Sequence, residues 1–97
     1  MRIKKSDIQK GEGASFRGDT GKGVVVHHRE DGTFEVLSGI CTHEYCEVDW
    51  NGYGKSFDCP CHGARYDATG AVINGPATEP LRKLHFTDVG DELEVDG

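Results

Sequence analysis

Apolar residues along this chain fall in short runs, mostly β-branched or aromatic, broken by Gly, Asp and Asn. Runs of that kind read as strands. They predict strands over Met1–Lys4, Ser15–Arg17, Gly23–His28, Thr33–Ile40, Ser56–Asp58, Ala64–Asp67, Ala71–Ile73, Leu84–Thr87 and Leu93–Val95. Glu30-Asp31-Gly32 and Asp67-Ala68-Thr69-Gly70 have the composition of hairpin turns. Ser6-Asp7-Ile8 can start one helical turn, which Gly11 and Gly13 stop early. No other segment keeps a helical spacing of apolar residues. The pattern therefore predicts an all-β chain, a small antiparallel sandwich or barrel with Gly-rich corners. Glycines and turn residues crowd between 39 and 76, so that part is expected to be mostly loop. Long loops in a small domain usually carry function.

Length and charge narrow this picture. A chain of 97 residues is one domain with a thin core, which a metal site or a disulfide would help to hold together. The formal net charge is −6, and no Lys/Arg cluster is longer than Lys4-Lys5. Nucleic acid is thus not an expected partner, whereas a positively charged protein is compatible. No apolar run approaches the roughly 18 residues of a membrane span. Nothing apolar follows Met1-Arg2-Ile3-Lys4-Lys5 to make a secretory signal. The expectation is a soluble monomer, cytoplasmic if the chain is complete and extracytoplasmic if it is the excised head of an anchored protein.

The chemistry concentrates in two blocks, Cys41-Thr42-His43-Glu44-Tyr45-Cys46 and Cys59-Pro60-Cys61-His62-Gly63. Cys and His at this density are a metal signal. Cys-x-His and Cys-x-x-His supply two thiolates and two imidazoles. Zinc would take all four in one tetrahedron. A [2Fe–2S] cluster would put two Cys on one iron and two His on the other. The second suits two facing loop tips, each giving one Cys and one His. Cys46 and Cys61 are then left over, one per block, close enough to form a disulfide if the tips face each other. A thioredoxin-like role for Cys59-Pro60-Cys61 fits less well, because that chemistry needs C-x-x-C at a helix start. His27, His28 and His85 read as surface or strand-packing residues, and Trp50 as a core anchor.

These blocks carry a resemblance. C-T-H-x-x-C followed by C-P-C-H-G is similar to the Rieske proteins of quinol–cytochrome oxidoreductases, the bc1 and b6f type. Trp50-Asn51, Lys55-Ser56-Phe57, Tyr66-Asp67 and Gly75-Pro76-Ala77 extend the likeness, which covers roughly 24 to 95 and is dense from 41 to 81. The resemblance implies one Rieske domain over residues 1–97, with its cluster-binding part at about 39–81. It also implies one [2Fe–2S] cluster with Cys41 and Cys59 on one iron and His43 and His62 on the other. It further implies a Cys46–Cys61 disulfide and a Tyr66 hydroxyl directed at the sulfur of Cys41. Gly75-Pro76-Ala77 would be the proline loop that covers the cluster from a third side.

Three positions depart from the resembling pattern. Glu44 stands where quinol-oxidising members have Leu, Tyr45 where Gly is usual, and Ala64 where Ser is common. The function implied is one-electron transfer by a carrier with no catalytic residue of its own. The main reading is a soluble Rieske ferredoxin working between a reductase and an oxidase or oxygenase. The alternative is the Rieske subunit or head of a quinol–cytochrome c reductase, with a cytochrome as acceptor. A non-redox zinc module is the third reading.

Overall fold

The structure is a computed structural model, and it describes residues 1–42, 46–61 and 63–96. Among the described residues, ten strands form three antiparallel sheets. Strands β1 (Arg2–Lys4), β9 (Phe86–Val89) and β10 (Glu92–Val95) make the first, in the order β1-β10-β9. Strands β2 (Gly13–Arg17), β3 (Gly23–His28) and β4 (Phe34–Ser38) make the second. Strands β5 (Asp49–Asn51), β6 (Ser56–Asp58), β7 (Arg65–Asp67) and β8 (Val72–Asn74) make the third, a meander. One 3-10 turn, Lys5–Asp7, is the helical turn expected near Ser6. The all-β expectation holds, and among the described residues no helix is long and apolar enough to cross a membrane.

The second sheet divides two cores. Successive side chains of a strand point to opposite faces. Val24 and Val26 of β3 therefore join Val36, Phe34, Ile3, Leu93 and Val95 in one core. Val25 and Leu37 join Val48, Phe57, Tyr66 and Leu81 in the other, together with Cys41 and Cys59. All five residues of β4 are buried. This explains why Phe34 to Leu37 lacks a clean polar alternation: both faces of the strand are covered.

The sequence expectation fails in one place. Residues 39–76 are mostly loop outside the four three-residue strands of the third sheet; the sequence predicts β6, β7 and β8 but not β5. Strand β5 was missed because Asp49 and Asn51 flank Trp50, and only the Trp favours a strand. Its partners supply the rest: Trp50 pairs with Phe57, and Phe57 with Tyr66, placing three aromatic rings side by side across the sheet. Trp50 also reaches back to the second sheet and lies against Gly13. A Cβ at Gly13 would sit 2.6 Å from the indole. Trp50 Nε1 donates to Glu12 at 3.2 Å, so the residue is the core anchor expected of it.

Candidate metal centre

Each Cys/His block closes a β-hairpin. The first leaves β4 through Gly39 and Ile40, and Ile40 pairs with Glu47 across the stem. The Cys41 N–H donates to the Cys46 carbonyl at 2.7 Å, closing the loop at its base. The second block is the turn between β6 and β7. There the Cys59 N–H donates to the Ala64 carbonyl at 2.8 Å and the Gly63 N–H to the Cys59 carbonyl at 3.2 Å.

The two loops meet. Cys46 and Cys61 form a disulfide, with Cα atoms 6.4 Å apart. The sulfurs of Cys46, Cys59 and Cys61 all lie within 4.8 Å of one another. Cys41 and Cys59 stand outside the disulfide and are buried, 3% and 2% exposed. Two buried thiols beside a disulfide that clasps their loops form a donor set that suits a thiophilic metal group. The two other sequence-derived candidates, His43 and His62, lie outside the described residues, as do Glu44 and Tyr45.

Tyr66 projects from β7 into this site and is completely buried. Its hydroxyl lies 3.3 Å from Cys41 Sγ, 3.1 Å from the Thr42 nitrogen and 3.0 Å from Thr42 Oγ1. Donor counting assigns these contacts. The Thr42 N–H donates to the Tyr66 oxygen, and the Thr42 hydroxyl donates to the Glu79 carbonyl at 2.7 Å. The single O–H of Tyr66 is then left for Cys41 Sγ or Thr42 Oγ1. A metal-ligating Cys41 is a thiolate, and as the more negative acceptor it draws that proton. Burial pushes the Tyr66 hydroxyl above its usual range and the Cys41 contact adds to this, outweighing the opposing donation from Thr42. Tyr66 therefore stays protonated and able to donate.

A third loop follows β8. Pro76 in it is exposed, whereas Ala77 is 4% exposed and belongs to the core with Cys41 and Cys59. The bond from Thr42 to Glu79 ties this loop to the first block, and Asn74 Nδ2 ties it to the second through the Gly63 carbonyl at 3.3 Å. Sequence reasoning placed Pro76 here but missed Thr42 and Asn74. Thr42 stands inside the first block and Asn74 beside the proline loop, but neither residue type by itself marks a loop fastening. Ala64 is fully buried beneath the second block. His27 tilts against Trp50 with ring centroids 5.5 Å apart, and His28 stacks on Phe34 at 4.1 Å. Both are strand-packing histidines.

Residues 1–85 match the Rieske [2Fe-2S] domain family. The chain belongs to this family. Its cofactor is a [2Fe–2S] cluster and its work is electron transfer, so iron and sulfide replace the zinc alternative. The chain is 43% identical over 87 residues to cytochrome b6-f complex iron-sulfur subunit 2 of Trichormus variabilis, covering 88% of this chain and 49% of that protein. It spans between 34% and 50% of the length of the b6-f subunits it matches. The plasma membrane Rieske protein PetC3 from Synechocystis PCC 6803 superposes with a TM-score of 0.75 at 31% identity, covering 86% of this chain and 84% of that one. The ferredoxin of carbazole 1,9a-dioxygenase from Nocardioides aromaticivorans shares the fold, with a TM-score of 0.68 at 24% identity, covering 96% and 91%. The Cys46–Cys61 disulfide agrees with the bc1/b6f type of Rieske domain.

Proposed function

We propose that this chain is a single Rieske domain over residues 1–97, with its cluster-binding part at about 39–81, and that it carries single electrons to or from a larger oxidoreductase. Cys41 and Cys59 hold one iron, and His43 and His62 the other. The bound group supplies one-electron chemistry at a potential raised by its two neutral imidazole ligands. The chain's own residues do the rest. The disulfide keeps the two ligand loops apposed, and Thr42 and Asn74 fasten the third loop to both. Tyr66 gives its hydroxyl to Cys41, favouring the more negative, reduced state.

The observation that carries this reading is the division of the four cysteines. One pair is joined across the loops, and the other is buried on the same two loops beside a tyrosine hydroxyl. Natively produced protein should contain two iron and two acid-labile sulfide per chain and show the visible absorption of a mixed Cys/His cluster. One zinc per chain with no sulfide would overturn the ligand assignment.

The redox setting has two readings. Glu44, in place of Leu in the first block, favours a ferredoxin serving a reductase and an oxidase or oxygenase. The disulfide and the likeness to b6-f subunits favour a subunit that takes electrons from quinol and passes them to a cytochrome. Deleting the chain from its source cells separates them. Membranes that keep quinol-dependent cytochrome reduction support the ferredoxin, and membranes that lose it support the quinol reading.

A further inference from the structure

The second Cys/His block is the loop of the β6–β7 hairpin, and its stem carries opposite charges. Asp58 and Arg65 are paired directly across the strands, the last pair before Cys59 and Ala64. Phe57 and Tyr66, the next pair, face the core. Asp58 and Arg65 therefore lie on the other face of the sheet, each one peptide away from the loop.

Their side chains are held in a closed network. Arg65 Nε donates to Asp58 Oδ1 at 3.2 Å, and Arg65 Nη2 donates to Ser56 Oγ at 3.0 Å. Ser56 Oγ donates to Asp58 Oδ1 at 2.7 Å, and Asn51 Nδ2 donates to Asp58 Oδ2 at 2.9 Å. Asn51 is itself fixed, because its Oδ1 accepts the N–H groups of Tyr53 and Gly54 at 3.1 Å each. Gly54 leaves the room: a Cβ there would sit 2.8 Å from Arg65 Nη2. Three strands and one turn thus cooperate to orient one carboxylate and one guanidinium. The pair is partly open to solvent, 33% and 41% exposed, and pairs so placed contribute little to stability. That leaves their position against the ligand loop as the feature to explain.

We propose that Asp58 and Arg65 form a charged clamp on the stem of the second ligand loop, positioning that loop and tuning the electron affinity of the site with opposite signs. A nearby carboxylate opposes the arrival of an electron and a guanidinium favours it. With both present the two effects largely cancel. The inference rests on the ligand role proposed for Cys59 and His62, which iron and sulfide analysis of the wild-type protein tests separately.

The experiment is voltammetry of holoprotein at one pH and low salt, on D58N, R65Q, R65K and D58N/R65Q, each checked for an unchanged visible spectrum. D58N should raise the midpoint and R65Q lower it. Each should change the one-electron reduction equilibrium several-fold, tenfold being about 59 mV. R65K should stay near wild type, and D58N/R65Q should return toward it, because opposite charge effects compensate. Single variants that shift the midpoint in the same direction, or not at all, would overturn the clamp. So would a double variant whose midpoint lies further from wild type than that of either single variant. If D58N fails to hold the cluster, R65Q against R65K decides. A midpoint for R65Q at or above that of R65K refutes the proposal.

Discussion

Tyr66 has one O–H to give, and its neighbours determine where it goes. Thr42 spends its own hydroxyl proton on Glu79 and its N–H on the Tyr66 oxygen, which leaves the phenol proton for Cys41. Replacing Tyr66 with Phe removes that donor and should lower the cluster midpoint. Hydrogen bonds to charged groups are worth roughly 1.5–3 kcal/mol in all. Only the difference between redox states moves the potential, so a fall of some tens of millivolts up to about 100 mV is expected. Ala64 marks the opposite case. Its side chain is buried under the second ligand loop, where a hydroxyl is common in the resembling proteins, so Ala64→Ser should raise the midpoint by a similar amount. The wild-type midpoint should then be positive, about +100 mV near neutral pH, inside a Rieske range of about −150 to +300 mV. Voltammetry on both variants at one pH checks the signs. An unchanged midpoint in Ala64→Ser with the cluster intact would show that the new hydroxyl reaches no cluster atom. At this scale the sequence was informative where chemistry is specific: Cys41, Cys46, Cys59 and Cys61 came from the density and spacing of the two blocks, and Tyr66 from the resemblance. The contacts made by Thr42, Asn74 and Asn51 were not legible, although Thr42 and Asn51 stand within the resembling motifs, because a polar residue that fastens two segments looks like any other until the segments are brought together.

Hairpins are the elements from which the site is built, and the ends of two of them carry the proposed ligands Cys41 and Cys59. The disulfide between them should matter more for retention of the cluster than for its identity. Cys46→Ser or Cys61→Ser leaves Cys41 and Cys59 in place but frees the two loops from each other. Loss of a native disulfide in a small domain costs about 2–5 kcal/mol. Both variants should load the cluster and then lose it faster on warming, which bleaching of the visible absorption measures. Bleaching rates equal to wild type would show that the clasp is dispensable. The hairpin turns themselves were legible from composition. Asp67 Oδ1 accepts from the Thr69 N–H at 2.8 Å, the Thr69 hydroxyl at 2.6 Å and the Ala71 N–H at 3.1 Å, the pattern foreseen for Asp67-Ala68-Thr69-Gly70. Partial burial alone would raise its pKa, but these hydrogen bonds outweigh it and hold the carboxylate below the ordinary Asp range. A lowered folded-state pKa means the stabilisation is complete above the unfolded value of about 3.9 and is lost as pH falls through the folded one. Denaturant midpoints of wild type and Asp67→Asn should therefore differ most at neutral pH and converge below about pH 4. A gap that widens with acid would reverse the sign. Strand β5 was the element not legible, since Asp-Trp-Asn has weak strand character alone and becomes a strand only through Phe57 and the Glu12–Trp50 contact.

The molecule as a whole is two cores separated by one sheet, and only one of them contains the proposed ligands Cys41 and Cys59. Cys41 and Cys59 pack with Phe57, Tyr66, Ala77 and Leu81, whereas Ile3, Leu93 and Val95 pack on the far side of β3 and β4. The all-β class was readable from short β-branched runs. The partition was not, because it depends on which face of β3 each valine takes, and Val24-Val25-Val26 has no polar member to mark the alternation. The partition predicts where the cluster stabilises the protein. Free energy of metal binding appears as folding free energy in the segments that supply the ligands. Removing iron with a chelator, without reductant so that the Cys46–Cys61 bond persists, should loosen residues 41–81 while β1 and β10 remain closed. Proteins open in such cooperative units rather than uniformly. Hydrogen exchange read by mass spectrometry should then show peptides around Cys41, Cys59 and Tyr66 exchanging at least about tenfold faster, equivalent to about 1.4 kcal/mol of local stability. Peptides containing Ile3 and Leu93 should exchange at nearly their holoprotein rates. Equal acceleration everywhere would mean that the two cores open as one unit and that the cluster stabilises the whole chain. Unchanged exchange around Cys41 and Cys59 would mean that the disulfide and the Thr42 and Asn74 fastenings hold the loops without it.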